Sequence, residues 1–341
     1  MGMCGTVKIE KIKSLLQDAD PDREALKQLA LSTGGFVSDA FRQTIWPLIL
    51  DADEDEDSSE PELDPQMIEG CASISEETVS RHPEYHQVLV DVNRTLARFP
   101  PNITDDKRHQ LQDELTPLIV RILVRNPNFR YYQGFHDVCL TVLLAVGERW
   151  AFRVCSRLAT TYFRPFLEKP LDQSTRVLNY VYSLIAVTDP ELYSYLTHAE
   201  VGTMFALSWL LTWFSHVIRD YDTLVRLFDL FIVCHHLMPV YLTASIVLYR
   251  FDEITRSHCD MATIHSLLSK LPVDLPYEAL VQDAVNLYAQ YPPSTLKTIR
   301  ADEQVNVARK VVTRTWPVVT CFTVAVFAWY LYKVFSYGHV P

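Results

Sequence analysis

Apolar residues recur at helical spacing, three or four positions apart, along most of this chain. Strand-like alternation is rare, and no repeat with a period of about 20–50 residues is present. The pattern predicts an all-α fold of two packed helical subdomains with short connections. The predicted helices of its main part are 107–125, 136–164, 171–187, 189–198, 201–218, 222–236, 240–256, 261–270 and 275–290. Residues 1–35 form an N-terminal helical segment with a turn at Asp20-Pro21.

One stretch interrupts the pattern because it carries charge in place of an apolar face. Asp51 to Asp64 alone holds nine acidic residues. Like charges at this density repel one another, and the stretch has too little apolar surface to fold. We predict a disordered, exposed insertion at about residues 51–80, with a binding site for a basic partner as the alternative.

A second interruption lies near the C-terminus. Thr315 to Tyr332 has eighteen residues without a charge, which would span about 27 Å as a helix. Aromatic residues lie near both ends, three basic residues precede the run between positions 309 and 314, and Lys333 follows it. The pattern predicts a transmembrane tail anchor at 315–335 after a linker at 294–314, with the main domain facing the cytosol.

Leu227 to Leu248 is also apolar enough to suggest a membrane span. This stretch contains Asp229, two histidines and Pro239, however, and such residues fit a buried helix pair better. We predict a buried pair and keep a membrane span as the alternative.

Composition narrows the possible functions. Removing the nine acids of the insertion from the formal net charge of −11 leaves about −2, so no basic surface for nucleic acid is indicated. The seven cysteines lie far apart without a C-x-x-C motif, which fits a reducing compartment. Cys234-His235-His236 lacks a fourth ligand at a recognisable spacing, so we predict no metal site. Myristoylation of Gly2 is left open, because the start of the chain fits a short pattern that also arises by chance.

Two short stretches carry the candidate chemistry. In the first, Val88, Val92 and Leu96 recur at helical spacing, which predicts one buried face. Asp91 and Arg94 fall on a stripe roughly opposite, predicted to face away from the core. An ordinary solvated helix face is the interpretation that periodicity alone favours.

The second stretch is Tyr131-Tyr132-Gln133-Gly134, which precedes the apolar run Val138 to Val146. A glutamine between tyrosines and a glycine, at the start of a buried helix, suits a group that must be presented at a defined position. Tyrosines of an ordinary core are the alternative. His136-Asp137 follows directly, and we predict that both lie on the helix surface.

Together the two stretches resemble the signature of the TBC domain, I-x-x-D-x-x-R followed by Y-x-Q-G. Three further motifs are similar to other parts of that domain, and the resemblance covers about residues 36–293. These motifs are Arg42 to Pro47, Arg226 to Asp229 and Pro272 to Glu278.

The resemblance implies a GTPase-activating protein for Rab small GTPases. It assigns Arg94 as an arginine finger and Gln133 as a glutamine finger, supported by Asp91, Tyr131 and Gly134. It further implies a GTP-bound Rab as partner and no cofactor of the chain's own, since GTP and Mg²⁺ come with the Rab. With its anchor and acidic insertion, the chain resembles an anchored member of the family, which implies the endoplasmic reticulum or early Golgi membrane and a Rab of the early secretory pathway.

Two other classes of protein fit part of the sequence. A non-catalytic, membrane-anchored Rab-binding adaptor would share the fold, although such members usually lose the arginine or the glutamine. A multi-pass membrane protein would require Leu227 to Leu248 to span the bilayer.

Overall fold

Helices joined by short turns build the part of the protein that the computed structural model describes, namely residues 2–52, 74–97, 99–101, 103–168 and 172–294. This part contains no strand, so the all-α prediction is confirmed for it. A 3₁₀ turn, Met204–Ala206, lies between the eleventh and twelfth helices. The helices are α1 (Gly2–Gln17), α2 (Arg23–Leu31), α3 (Asp39–Ala52), α4 (Glu76–Ser80), α5 (Tyr85–Leu96), α6 (Asp105–Arg125), α7 (Phe135–Val146), α8 (Glu148–Thr161), α9 (Arg164–Leu167), α10 (Asp172–Thr188), α11 (Pro190–His198), α12 (Leu207–Leu211), α13 (Tyr221–Val233), α14 (Met238–Tyr249), α15 (Phe251–Thr255), α16 (Met261–Leu268) and α17 (Tyr277–Gln290).

Side-chain caps start many of these helices. A Ser, Thr or Asp oxygen accepts a hydrogen bond from the backbone N–H three residues later, which satisfies one of the orphan donors of the first turn. Each such cap is worth about 0.5–2 kcal/mol. The capping residues are Asp22, Ser75, Thr104, Asp189, Asp220 and Asp260.

Three of the predicted helices are broken in the structure, and the stretch predicted as 240–256 is divided into α14 and α15 at Arg250. Gly147, at φ +74°, separates α7 from α8 within the stretch predicted as 136–164. The stretch predicted as 201–218 is helical over only a short part, because Trp213 and Phe214 both take positive φ, at 46° and 68°. Buried rings hold this turn, since Trp213 packs edge-on against Phe228 and Phe231.

The helices fall into two groups. The first group, α1 to α9, contains contacts of α5 with α6 and of α3 with α7 and α8. The second group is centred on α14, which packs against α10 and α17. Helix α13 contacts members of both groups, and all described residues belong to one compact unit. The two predicted subdomains are therefore two groups of helices within one body.

The apolar stretch Leu227 to Leu248 lies in α13 and α14, and the prediction of a buried helix pair is confirmed. The chain turns between them at Cys234 to Leu237. Within the ranges described above, no helix combines the length and apolarity needed to cross a bilayer. The predicted linker at 294–314, beyond its first residue, and the anchor at 315–335 lie outside the described residues.

The acidic insertion ends earlier than predicted. Residues 53–73 lie outside the described part, but the last residues of the predicted stretch are folded. Ser75 caps α4, and Val79 is 4% exposed where α4 packs against α6. Helix α4 is a single capped turn with one buried apolar residue. A helix this short cannot be recognised from the charge pattern of the stretch.

Candidate functional site

Helix α5 presents one apolar face and one polar face, and both matter for the site. Val88, Val92 and Leu96 are buried, as their spacing predicted. The Arg94 side chain is 65% exposed, as expected for the polar stripe. Asp91 is only 1% exposed, so the prediction that the whole stripe faces away from the core is wrong. Asp91 is buried because the polar start of α7 and the loop before it pack against this side of α5.

The buried carboxylate of Asp91 is held by three donors. Gln87 Nε2 donates to Oδ2 at 2.9 Å, Tyr131 Oη donates to Oδ2 at 3.2 Å, and Arg94 Nη1 donates to Oδ1 at 3.3 Å. Charged hydrogen bonds of this kind offset the cost of removing a carboxylate from water. Asp91 thus connects the guanidinium of Arg94 to Tyr131 in the loop that carries Gln133, and its orienting role stays a prediction.

Gln133 is exposed, and the residues before it are fixed. The Tyr131 backbone N–H donates to Glu84 Oε2 at 3.0 Å, and Tyr132 Oη donates to the Leu211 carbonyl at 2.7 Å. Burial of the phenol, followed by the charge of Asp91, raises the pKa of Tyr131 well above its ordinary value, so Tyr131 keeps its proton. The amide of Gln133 is therefore displayed from an anchored backbone.

Gly134 completes this loop and begins α7. It takes φ +118° and ψ −22°, a conformation that residues with a side chain rarely adopt. A Cβ at this position would lie 2.7 Å from Thr212 Cγ2. Both the backbone angle and the close approach require glycine, so the predicted supporting role has a steric basis.

His136 and Asp137 do not lie on the helix surface, and that prediction is wrong. Each residue is only 4% exposed, because the first turn of α7 packs against α5. Thr95 Oγ1 lies 2.9 Å from both His136 Nε2 and Asp137 Oδ1. His136 Nδ1 lies 2.7 Å from Tyr131 Oη, and His216 Nδ1 lies 3.0 Å from Asp137 Oδ2. A polar cluster therefore runs from Asp91 to His216.

Asp137 is the anionic end of this cluster. Burial alone would raise its pKa, but the hydrogen bond from His216, the electrostatic influence of the nearby His136 and His216 rings and the hydrogen bond from Thr95 lower it below its ordinary value. A negative charge at Asp137 is consequently stable inside the protein.

Sequence reasoning missed four members of the cluster, and three of them had a signal. Thr95 follows Asp91 by four positions and so shares its side of α5. His136 and Asp137 fall in the first turn after the glycine. His216 has no signal in the sequence, because the turn at Trp213 and Phe214 brings it to Asp137.

Two of the other sequence motifs, Arg42 to Pro47 and Arg226 to Asp229, meet in a second network around Asp229, which is 0% exposed. Arg42 donates from Nε and Nη2 at 3.0 and 2.9 Å, Trp46 Nε1 donates at 2.8 Å, and the Phe36 N–H donates at 2.9 Å. We name these residues the Asp229 clamp. Burial alone would lower the pKa of Arg42, but the charge and hydrogen bonds of Asp229 and Asp39 raise it, so Arg42 stays protonated. The clamp joins α3 to α13 and presents no functional group to solvent.

The surface that carries Arg94 and Gln133 can do specific chemistry. A guanidinium donates in a planar fork to neighbouring oxygens of a phosphate and remains charged at any physiological pH. A carboxamide both donates and accepts, so it can hold a water molecule and an oxyanion together. Arg94 and Gln133 are exposed on segments that Tyr131 and Asp91 connect, which suits stabilisation of a phosphoryl-transfer reaction on a ligand that arrives from outside.

Comparisons with known proteins bear on the family and the fold of this chain. A family model described as the Rab-GTPase-TBC domain matches residues 39–255. The chain is 43% identical over 297 residues to TBC1 domain family member 20 of Homo sapiens, covering 87% of this chain and 70% of that protein. It is 29% identical over 294 residues to GTPase-activating protein gyp10 of Schizosaccharomyces pombe, covering 85% and 75%. The solved Ypt/Rab-GAP domain of Gyp1p has a similar fold, with a TM-score of 0.66 at 14% identity over 84% of this chain and 99% of that one.

Proposed function

This chain belongs to the Rab-GTPase-TBC domain family, as its motifs predicted, and we propose that it accelerates GTP hydrolysis on a Rab GTPase by supplying Arg94 and Gln133 in trans. The relative from Schizosaccharomyces pombe is itself named a GTPase-activating protein. The nucleotide and its Mg²⁺ belong to the Rab partner. The chain contributes the two side chains and the rigid surface that carries them.

One observation carries this proposal. The side chain of Arg94 is largely exposed while its carboxylate partner, Asp91, is buried. Arg42, by contrast, pairs with Asp229 inside the protein and is buried together with it. The exposed position of Arg94 instead suits a guanidinium that can reach a phosphate group on another molecule.

The chemical need is well defined. GTP hydrolysis on a small GTPase is slow because charge that spreads over the transferred phosphoryl group is poorly neutralised and the attacking water is poorly held. An arginine finger addresses the first problem and is worth about 10³–10⁵ in rate, or roughly 4–7 kcal/mol of barrier. The Gln133 amide addresses the second by accepting from the water while it donates to a phosphate oxygen.

Single-turnover hydrolysis on a panel of GTP-loaded Rab proteins tests the proposal. Arg94→Ala and Gln133→Ala should each lower the stimulated rate by at least about two orders of magnitude on the Rab that wild-type protein stimulates. The double variant should be little worse than either single one, because the two groups act on one transition state. Binding to the GTP-bound Rab should persist in all three.

Arg164→Ala is a matched control, because the Arg164 side chain is 61% exposed and also pairs with one carboxylate on its own helix turn. It should leave the stimulated rate unchanged. A near wild-type rate for folded Arg94→Ala would contradict the proposal and favour the non-catalytic Rab-binding adaptor.

We also propose that residues 315–335 anchor the protein in the endoplasmic reticulum or early Golgi membrane and that its Rab acts in the early secretory pathway. Support comes from the uncharged run and its basic N-terminal flank. Deleting residues 315–341 should release the protein from membranes in carbonate extraction and leave activity on soluble Rab nearly intact. Retention of the truncated protein in the membrane fraction would contradict the single anchor.

A further inference from the structure

The imidazole of His136 touches both segments of the candidate site. Its Nδ1 lies 2.7 Å from Tyr131 Oη, in the loop that carries Gln133, and also accepts the Gly134 N–H at 3.3 Å. Its Nε2 lies 2.9 Å from Thr95 Oγ1 on α5, one residue after Arg94. The ring therefore bridges the two parts of the chain that the proposed function requires to act together.

Hydrogen-bond roles follow from this arrangement. Because the Gly134 N–H can only donate, Nδ1 is the acceptor and the ring proton lies on Nε2. The Nε2–H then donates to Thr95 Oγ1, and the Thr95 hydroxyl donates to Asp137 Oδ1. Tyr131 Oη has one proton to share between Nδ1 at 2.7 Å and Asp91 Oδ2 at 3.2 Å. Every polar atom of the ring thus has a defined partner.

We propose that His136 is a positioning residue for the two fingers, acting through Tyr131 and Gly134 on the Gln133 loop and through Thr95 on α5. This inference rests on the proposed function. His136 is buried, so we assign it no contact with the Rab or its nucleotide. Its contribution is to fix the loop relative to α5 before the partner binds.

The expected effect of a His136 substitution on the stimulated rate follows from how strongly transition-state contacts depend on position. A displacement of about 1 Å from a substitution away from the reacting atoms can cost about 10²-fold in rate. Loss of the Nδ1 contacts would remove one hydrogen-bond partner from Tyr131 and one from Gly134, on either side of Gln133 in the loop, whereas loss of the Nε2 contact would leave both of these partners in place. The two ring nitrogens should therefore differ in importance.

Two amide variants separate these contacts. In asparagine the terminal oxygen is bonded to Cγ, as Nδ1 is in histidine, so His136→Asn keeps an acceptor near Tyr131 and Gly134. In glutamine the polar atoms lie one bond further out, so His136→Gln keeps a partner for Thr95 and loses the loop contacts. His136→Ala removes both. The full-length chain should be used for all three variants.

We expect His136→Asn to retain a maximal stimulated rate within about threefold of wild type. The maximal rates of His136→Gln and His136→Ala should fall at least about tenfold. For these two variants the KM for GTP-bound Rab should change by less than about threefold. Melting temperatures of the Asn and Gln variants should be similar to each other. Thr141→Val is the matched control, because it removes a buried hydroxyl of the same helix that bonds only to the Asp137 carbonyl, and its rate should equal that of wild type.

The results distinguish this inference from the proposed function. If wild-type protein stimulates no Rab, the proposed function fails. If wild-type protein is active and all three His136 variants stay within threefold of it, His136 is not a positioning residue. Rates that follow melting temperature across the variants, or an Asn variant no better than Gln, would show a role in packing alone and would also overturn the inference.

Discussion

Two buried carboxylates organise this protein, and a comparison between them separates structure from function. Asp91 and Asp229 each accept hydrogen bonds from an arginine and from an aromatic side chain, and each lies on a helix that matches a family motif. The two arginines differ in the exposure of their side chains. The Arg42 side chain is 6% exposed, whereas that of Arg94 is 65% exposed.

This difference sets what each network can do. Four donors from α3 and the residues before it surround Asp229, so the clamp neutralises its own charge and holds two helices together. The Asp91 network also fixes its members, but it leads outward to an arginine, a glutamine and a histidine at the surface. Similar motifs in a sequence can therefore mark either a sealed ion pair or a presented one, and side-chain exposure distinguishes them.

The same substitution in both regions should give opposite results, and the larger effect is on activity. Arg94→Met should lower the stimulated rate of GTP hydrolysis by at least about 10²-fold, since an arginine finger is worth about 10³–10⁵. Its free energy of unfolding should change by less than that of Arg42→Met, because the Arg94 side chain is exposed and Gln87 and Tyr131 still donate to the buried Asp91 carboxylate. Single-turnover kinetics and urea unfolding measure the two quantities. Recovery of most of the rate by Arg94→Lys would show that the planar fork is not needed.

In the clamp, Arg42→Met should act on stability. It leaves the buried Asp229 charge without its main partner, and removing one member of a buried pair costs about 3–5 kcal/mol. The fraction that remains folded should stimulate hydrolysis at the wild-type rate. A variant as stable as wild type, or one that is stable but inactive, would remove the distinction between the two regions.

A substitution of Gly134, which directly precedes α7, tests how tightly the loop that carries Gln133 is fixed. Gly134→Ala should destabilise the protein by about 1–3 kcal/mol, since alanine must adopt a sparsely populated backbone conformation. Its Cβ would also meet Thr212 Cγ2 at 2.7 Å. Gly134→Ala in a Thr212→Ser background is the control, because serine keeps the hydroxyl of Thr212 and removes the Cγ2 that the new Cβ would meet. Equal losses in unfolding free energy would show that the Thr212 contact is unimportant.

These regions also show how far sequence reasoning reaches. Helical periodicity is a local property, so Val88, Val92 and Leu96 could be assigned to the core and Arg94 to the surface. The burial of Asp91 could not be deduced in the same way, because its cover comes from residues 131 to 137 on another part of the chain. Sequence could place both stretches in one family motif without giving the bonds that join them.

The largest error concerns the stretch 201–218, which was predicted as one helix. Trp213 and Phe214 take positive φ there, and tertiary packing of their rings overrides local preference. The resulting turn delivers His216 to Asp137, a contact between residues 79 positions apart. A conformation that depends on buried neighbours leaves no periodic trace, and for this reason the surface end of the cluster was missed.

The smallest expected effect is a pH dependence of the free energy of unfolding, which arises from the contact between Asp137 and His216. The pKa of Asp137 is lowered in the folded protein, because the hydrogen bond from His216 and the other favourable contacts outweigh the effect of burial. A group with a lowered folded pKa stabilises the protein fully above its unfolded pKa, about 3.9 for aspartate, and loses this contribution as pH falls through the folded value. The difference in unfolding free energy between wild type and Asp137→Asn should therefore stay constant near neutral pH and change below about pH 4. His216→Ala should shift this change toward higher pH, since His216 makes the leading contact that lowers the pKa. Urea unfolding of the three proteins at constant ionic strength measures these differences. Parallel stability curves for wild type and Asp137→Asn down to the acid limit would mean that the charge on Asp137 is not held by the cluster.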